Sequence, residues 1–108
     1  MSNTEAQVVE LISGAIAPVT SEAIVIGSDM RAVQATGITS AGAGAATVIV
    51  EVTNDTTWPW LTAATITLTL DTTAVTDGVV IDGSWKYARL RLSAISGTDA
   101  TVSANIGV

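Results

Sequence analysis

Histidine and cysteine are both absent from this 108-residue chain. The commonest general base, the commonest metal ligand, and any thiolate nucleophile or disulfide are therefore missing. Carboxylates and aromatic rings are what remain for chemistry. Asp71, Asp77 and Asp82 lie close together in sequence. Two carboxylates can act as acid and base on a glycosidic bond, and several can hold calcium. The spacing here fits neither, because no Asp-x-Asp-x-Asp-Gly loop is present. Each Asp stands near a turn signal, where Asp serves turn geometry and solubility. Ser40-Ala41-Gly42-Ala43-Gly44 leads into a strand, not into a helix N-terminus that could cradle a phosphate. No zinc spacing or nucleophile elbow occurs. We read a non-enzymatic chain with no catalytic residue, no cofactor and no metal.

The aromatic residues are more informative. Trp58-Pro59-Trp60 sits between two strand-like segments. Exposed tryptophans beside turn residues can stack on sugar rings; alternatively they cap a core or dock a neighbouring subunit. The absence of Phe favours recruiting some Trp into the core, and Pro59 stiffens the loop in either case. Trp85 precedes Lys86-Tyr87 and reads as a core or rim anchor, since burying a large aromatic contributes a few kcal/mol. Tyr87, Arg89 and Arg91 share one strand face. The two arginines are placed to pair with Glu51 across strands or with a partner's carboxylates. Asn54-Asp55-Thr56 matches the N-glycosylation pattern, a weak motif without a secretion signal.

Behind these residues the chain alternates with period two. Strands are predicted at Ala23–Ile26, Met30–Thr36, Ala46–Thr53, Ala64–Leu70, Lys86–Leu92 and Thr101–Ile106, with a further short strand at Val79–Ile81. Turn signals lie at Gly27-Ser28-Asp29, Asn54-Asp55, Asp77-Gly78, Asp82-Gly83 and Ser96-Gly97, and Ser40 to Ala46 reads as a flexible small-residue loop. Alternation rather than continuous apolar runs argues against a buried parallel sheet. The expected fold is all-β, an antiparallel β-sandwich or jelly roll of about seven to eight strands over residues 21–108. Residues 1–20 are expected to form an N-terminal arm, extended or a short helix. Thr4 and Gln7 offer a capping box, Gly14 a stop, and Val8, Leu11 and Ile12 one helical face; the rival is a β segment at Val8–Ile12. Pro18 interrupts either form.

Hydrophobic residues make up 48% and charged residues 13% of the chain, against about 25% charged in ordinary soluble domains. No apolar run approaches the roughly 18 residues of a membrane span, so no membrane partner is expected. A net charge of −6 with four basic residues argues against nucleic acid as a partner. Met1 to Glu10 contains no Lys or Arg, which argues against a secretion signal and for a cytoplasmic site of synthesis. Thr65, Thr67 and Thr69 form an uncharged ladder, and the strands show few of the guards that keep sheet edges apart. Surfaces of this kind are expected to be covered by other protein.

Val33-Gln34-Ala35-Thr36-Gly37, Gly44-Ala45-Ala46-Thr47-Val48 and Val52-Thr53-Asn54-Asp55…Trp58 resemble a group of small virion proteins of tailed bacteriophages. Thr76-Asp77-Gly78, Trp85-Lys86-Tyr87-Ala88-Arg89, Ala94-Ile95-Ser96-Gly97-Thr98 and Ala100-Thr101-Val102 are similar to the same group. The resemblance covers roughly residues 30 to 107, leaves the arm outside, and departs from the usual pattern at Thr56-Thr57-Trp58-Pro59-Trp60, where a Gly-containing turn is more typical. It implies a β-sandwich capsid decoration or cement protein. Such a protein would be a homo-oligomer, a trimer by preference, bound to the major capsid protein on a virion assembled in the host cytoplasm. Val8, Leu11, Ile12, Trp58, Trp60, Tyr87, Arg89 and Arg91 are the expected partner-binding residues. The alternative is a carbohydrate- or receptor-binding domain of a tail or fibre, distinguished by the exposure of Trp58 and Trp60.

Overall fold

The computed structural model describes residues 8–27, 30–81 and 85–107. They form nine strands: β1 (Val8–Ala15), β2 (Val19–Thr20), β3 (Ile24–Val25), β4 (Arg31–Ile38), β5 (Ala41–Thr53), β6 (Leu61–Leu70), β7 (Val75–Ile81), β8 (Tyr87–Thr98) and β9 (Thr101–Gly107). The first sheet has the order β1-β9-β4-β7 and the second β2-β8-β5-β6, with β3 also on β8. Every pairing is antiparallel. β2 and β3 lie on one edge of β8 and act as a single interrupted strand. Counted so, the chain is an eight-strand jelly roll of two four-stranded sheets, as its alternation predicts.

The interruption has a chemical patch. Thr20 pairs with Arg91 and Ile24 with Ala88, so one extra residue is taken up between them, as in a β-bulge. There the Leu90 amide donates to Ser21 Oγ at 2.9 Å, and the Ser21 amide donates to the Leu90 carbonyl at 2.8 Å. The hydroxyl takes the place of a ladder carbonyl and satisfies the Leu90 amide.

The core is the sum of the inward sets. Ala46, Val48, Val50 and Val52 of β5, Ile66, Leu68 and Leu70 of β6, and Ala88, Leu90 and Leu92 of β8 face Val33 and Ala35 of β4 and Val102, Ala104 and Ile106 of β9. All are aliphatic. A core without Phe is filled by many branched side chains of similar size, and Trp85 closes one end as a partly buried rim residue.

Three expectations are corrected. Residues 8–20, expected as an arm, belong to the sandwich: β1 pairs with β9 from Val8↔Gly107 to Ala15↔Val102, and β2 pairs with β8. The helix alternative gives way to the β alternative because Val8, Val9 and Ile12 find a sheet edge to complete, whereas an isolated short helix is marginal. Thr4 and Gln7 lie outside the described residues.

Ser40 to Ala46 is not a flexible loop. β5 starts at Ala41 after a corner in which the Thr39 amide donates to the Asp71 carbonyl at 2.9 Å and Thr39 Oγ1 to the Gly42 carbonyl at 2.6 Å. Gly44, with Gly97 opposite, serves close approach. A Cβ on Gly44 would run into the Ser96 carbonyl oxygen, and one on Gly97, where φ is +121°, would lie 2.8 Å from Thr39 Cγ2.

Asp77-Gly78 is not a turn but the middle of β7, opposite Ala35 and Gln34 of β4. Ser96-Gly97 likewise lies within β8, and the β8–β9 reversal is made at Asp99, with φ 50°. In both places a long-range partner strand outweighs a local turn preference. Asn54-Asp55 is a turn, as its residues suggest; Ser28, Asp29 and Asp82-Gly83 lie outside the described residues.

Three sheet edges carry guards. β1 is broken by two register shifts, the β2–β3 edge is interrupted, and on β7 Asp77 stands opposite the inward-facing Ala35, an edge charge of the kind that disfavours further pairing. The β6 edge, Leu61–Leu70, has neither charge nor Pro.

Candidate functional site

The connection from β5 to β6 is held rigid by its own polar groups. Thr53 Oγ1 donates to the Asp55 carbonyl at 2.9 Å and accepts from the Asp55 amide at 3.2 Å. Asp55 Oδ1 accepts from the Thr57 amide at 2.9 Å and from Thr57 Oγ1 at 2.7 Å. The Trp58 amide donates to the Asp55 carbonyl at 2.9 Å, closing a turn. Asn54 Oδ1 accepts from the Lys86 amide at 3.1 Å, tying the loop to the start of β8. Pro59 fixes one further φ. A surface loop with this many internal bonds presents its side chains already ordered, which lowers the entropic cost of binding.

What it presents is a cleft of about 540 Å³, lined by Thr53, Asn54, Asp55, Trp58, Pro59, Leu61 and Trp85. The volume is in the range of small-ligand sites. Its walls are mainly apolar, with Trp58 69% exposed, and one rim carries an amide, a hydroxyl and a carboxylate. The hydrogen bonds from the Thr57 hydroxyl and then the Thr57 amide hold the Asp55 carboxyl below its ordinary 3.8, with a smaller contribution from the Lys86 charge and desolvation opposing. Asp55 is thus an acceptor at neutral pH, and Oδ2 has no partner among the described residues. Other depressions lie on the outer face of the first sheet. One, of about 330 Å³, is lined by residues including Glu10, Gln34, Thr36, Thr76, Ser103 and Asn105 and contains no aromatic ring.

Trp60 does not line the cleft. It lies towards the outer face of the second sheet, where the Arg89 guanidinium carbon stands 4.3 Å from its ring centroid. Arg89 and Arg91 alternate along β8 with the buried Ala88, Leu90 and Leu92, so both turn outwards. Both meet Glu51 of β5: Arg89 Nε donates to Oε1 at 2.8 Å, and Arg91 Nε lies 3.4 Å from Oε2. The register Glu51↔Arg89 makes this a cross-strand pair. Tyr87 continues the same face, with Lys86 Nζ 5.5 Å from its ring centroid.

The expected partner-binding residues therefore fall into three places. Trp58 is in the cleft. Trp60, Tyr87, Arg89 and Arg91 are on the outer face of the second sheet. Val8, Leu11 and Ile12 do not share a face. Val8 is 64% exposed on β1, Leu11 is half-buried against the core, and Ile12 is a core residue, 2% exposed. The register shift after Glu10 lets two consecutive residues contact the interior, which strict alternation does not allow. Of the acidic trio, Asp71 Oδ1 accepts from the Thr72 amide and Asp77 Oδ1 from the Gly78 amide, both local backbone contacts; Asp82 lies outside the described residues. Sequence reasoning reads Trp85 as a rim anchor and misses that it lines the same cleft as Trp58. It also reads Asn54-Asp55 as turn residues and a weak glycosylation pattern, not as part of a binding rim. The run Asn-Asp-Thr-Thr is the signal that was available, since an Asp two residues before a Thr is an Asx-turn pattern.

No protein-family model matches the chain, nor does any curated protein at a significant level. Among solved structures the chain is similar in fold to a CBM4 carbohydrate-binding module. The TM-score is 0.52 at 10% identity, over 83% of this chain and 56% of that one. It is also similar to the N-terminal cellulose-binding domain of β-1,4-glucanase C from Cellulomonas fimi, with a TM-score of 0.52 at 12% identity, over 96% of this chain and 75% of that one. The chain thus spans little more than half the length of the first of these. At such identities the likeness is one of fold, an antiparallel β-sandwich.

Proposed function

We propose that this domain binds carbohydrate, with a sugar ring stacked on Trp58 in the cleft that Trp85, Pro59 and Leu61 complete. The single observation that carries the reading is a large exposed indole beside the ionised Asp55 and the amide of Asn54, all on a loop ordered in advance. A sugar ring offers an apolar C–H face and a hydroxyl edge. An indole takes the first, and acceptors such as Asp55 Oδ2 take the second. Support also comes from the fold, since the similar solved structures include a cellulose-binding domain.

The test is a screen of neutral oligosaccharides by tryptophan fluorescence, followed by titration of the best ligand. Trp58→Ala should weaken binding at least about 10-fold, as expected for an aromatic anchor, with circular dichroism unchanged. Equal binding by Trp58→Ala would remove the cleft from the account.

The virion reading, a homo-oligomer seated on a major capsid protein, stands second. The observation that favours it is the β6 edge, ten residues without charge or proline, which is free to add a strand. Light scattering over a range of concentrations tests it. A concentration-dependent oligomer that Thr67→Lys disperses supports assembly through this edge; a monomer throughout opposes it.

A further inference from the structure

The outer face of β8 carries a basic site that the cleft does not use. Resting on the carbohydrate reading above, we propose that the paired guanidiniums of Arg89 and Arg91 bind the carboxylate of a uronic acid residue, so that the ligand is an acidic polysaccharide.

Glu51 meets both arginines at Nε. The terminal Nη atoms of Arg89 and Arg91 have no hydrogen-bond partner among the described residues. Both side chains remain in part exposed, 28% and 38%. A carboxylate at 8% exposure therefore fixes two guanidinium forks side by side. Planar, delocalised forks are the geometry that takes carboxylate oxygens two at a time. One carboxylate cannot neutralise two arginines. In a chain whose net charge is −6 this is a local surplus of cation, and such a patch draws anions.

The position favours a saccharide over an acidic protein. Trp85 and Lys86 lead into β8, along which Tyr87, Arg89 and Arg91 follow one another, so Arg89 lies about 7 Å and Arg91 about 13 Å from Tyr87 at ~3.3 Å per residue. Lys86 is bonded to Asn54 of the cleft, and Tyr87 is opposite Thr53, another cleft residue. A chain of sugars held at Trp58 would run along this strand across Tyr87 and reach the arginines. Trp60 keeps Arg89 in place by stacking, a cation–π contact, and Arg91, which has no such support, is the residue to vary.

The 108-residue chain is titrated calorimetrically with oligogalacturonate and with a cello-oligosaccharide of equal length. Wild type should prefer the uronate by about 10-fold or more, as charge-assisted bonds predict, and the preference should shrink with added salt. Arg91→Gln should bring the two affinities within about 2-fold of each other. Arg91→Lys should restore only part of the preference, since the charge returns without the fork. No preference in wild type, or an unchanged preference in Arg91→Gln, would overturn the proposal. Polyglutamate bound as tightly as oligogalacturonate would overturn it in favour of a protein partner. The carbohydrate reading fails separately: an Arg91-dependent oligogalacturonate affinity that Trp58→Ala does not weaken would keep the arginine site and reject the cleft.

Discussion

Arg89 donates from Nε to Glu51 Oε1 at 2.8 Å across the β5–β8 pair, while its guanidinium lies 4.3 Å from the Trp60 ring. One side chain thus joins the centre of the second sheet to the loop that carries Trp58. The loop's direction is set from both ends, by Arg89 on Trp60 and by Asn54 on the Lys86 amide.

Glu51→Gln should lower stability modestly. The ion pair is partly exposed on the arginine side, so solvent screening limits it to roughly 1 kcal/mol. The urea midpoint should fall with the slope unchanged. The Trp60 contact also loses its second support, so tryptophan fluorescence should respond before global unfolding.

Leu90→Ala should be far more costly. Leu90 has no exposed surface and sits in the middle of the inward set of β8. Truncation there removes buried methylenes and leaves a cavity, about 2–5 kcal/mol. Denaturant unfolding followed by circular dichroism measures it. A loss below that of Glu51→Gln would contradict the assigned core.

Gly44→Ala should destabilise by about 1–3 kcal/mol although it adds a single methyl group. The methyl meets the Ser96 carbonyl of the neighbouring strand, and backbone cannot swing aside as a side chain can. Ala45→Ser, on an exposed neighbouring position of the same strand, should be near neutral and serves as the comparison.

Acidification should loosen the Trp58 loop. The folded Asp55 carboxyl lies below 3.8, chiefly through its bond from the Thr57 hydroxyl and next through that from the Thr57 amide. Since the folded value is depressed, Asp55's contribution is complete above the unfolded value. It is lost as pH falls through the folded one, that is, from 3.8 downwards. Thr57→Val removes the hydroxyl donor, so the Asp55 titration followed by NMR should move up towards 3.8. No movement would show that the hydroxyl bond does not hold the carboxylate.

The strands that could be read from sequence are those with strict alternation and one buried face. Val48, Val50 and Val52, Ile66, Leu68 and Leu70, Leu90 and Leu92, and Val102, Ala104 and Ile106 all point inwards as their period requires. What escaped depended on partners far along the chain. Asp77-Gly78 has every local mark of a turn, yet β4 supplies a strand opposite it. The glycines and alanines from Ala41 to Gly44 look flexible, but they belong to β5, and Gly44 has no room for a side chain because β8 passes close by. Val8 to Ala15 carries no sign of β9, its partner near the other end of the chain. Within the candidate site, the pairing of Glu51 with Arg89 and Arg91 was visible as alternation on two strands. The sharing of one cleft by Trp58 and Trp85 was not, because it depends on how a loop folds over a sheet end.

The most direct measurement is a two-dimensional NMR titration of the protein with a bound oligosaccharide, following the three indole N–H signals. The cleft reading predicts saturable shifts at Trp58 and Trp85 and in the backbone amides of residues 53 to 58, with larger movement there than in the first sheet. Shifts confined to Gln34, Thr36, Ser103 and Asn105, with the Trp58 indole unmoved, would place any sugar on the opposite sheet and contradict the account.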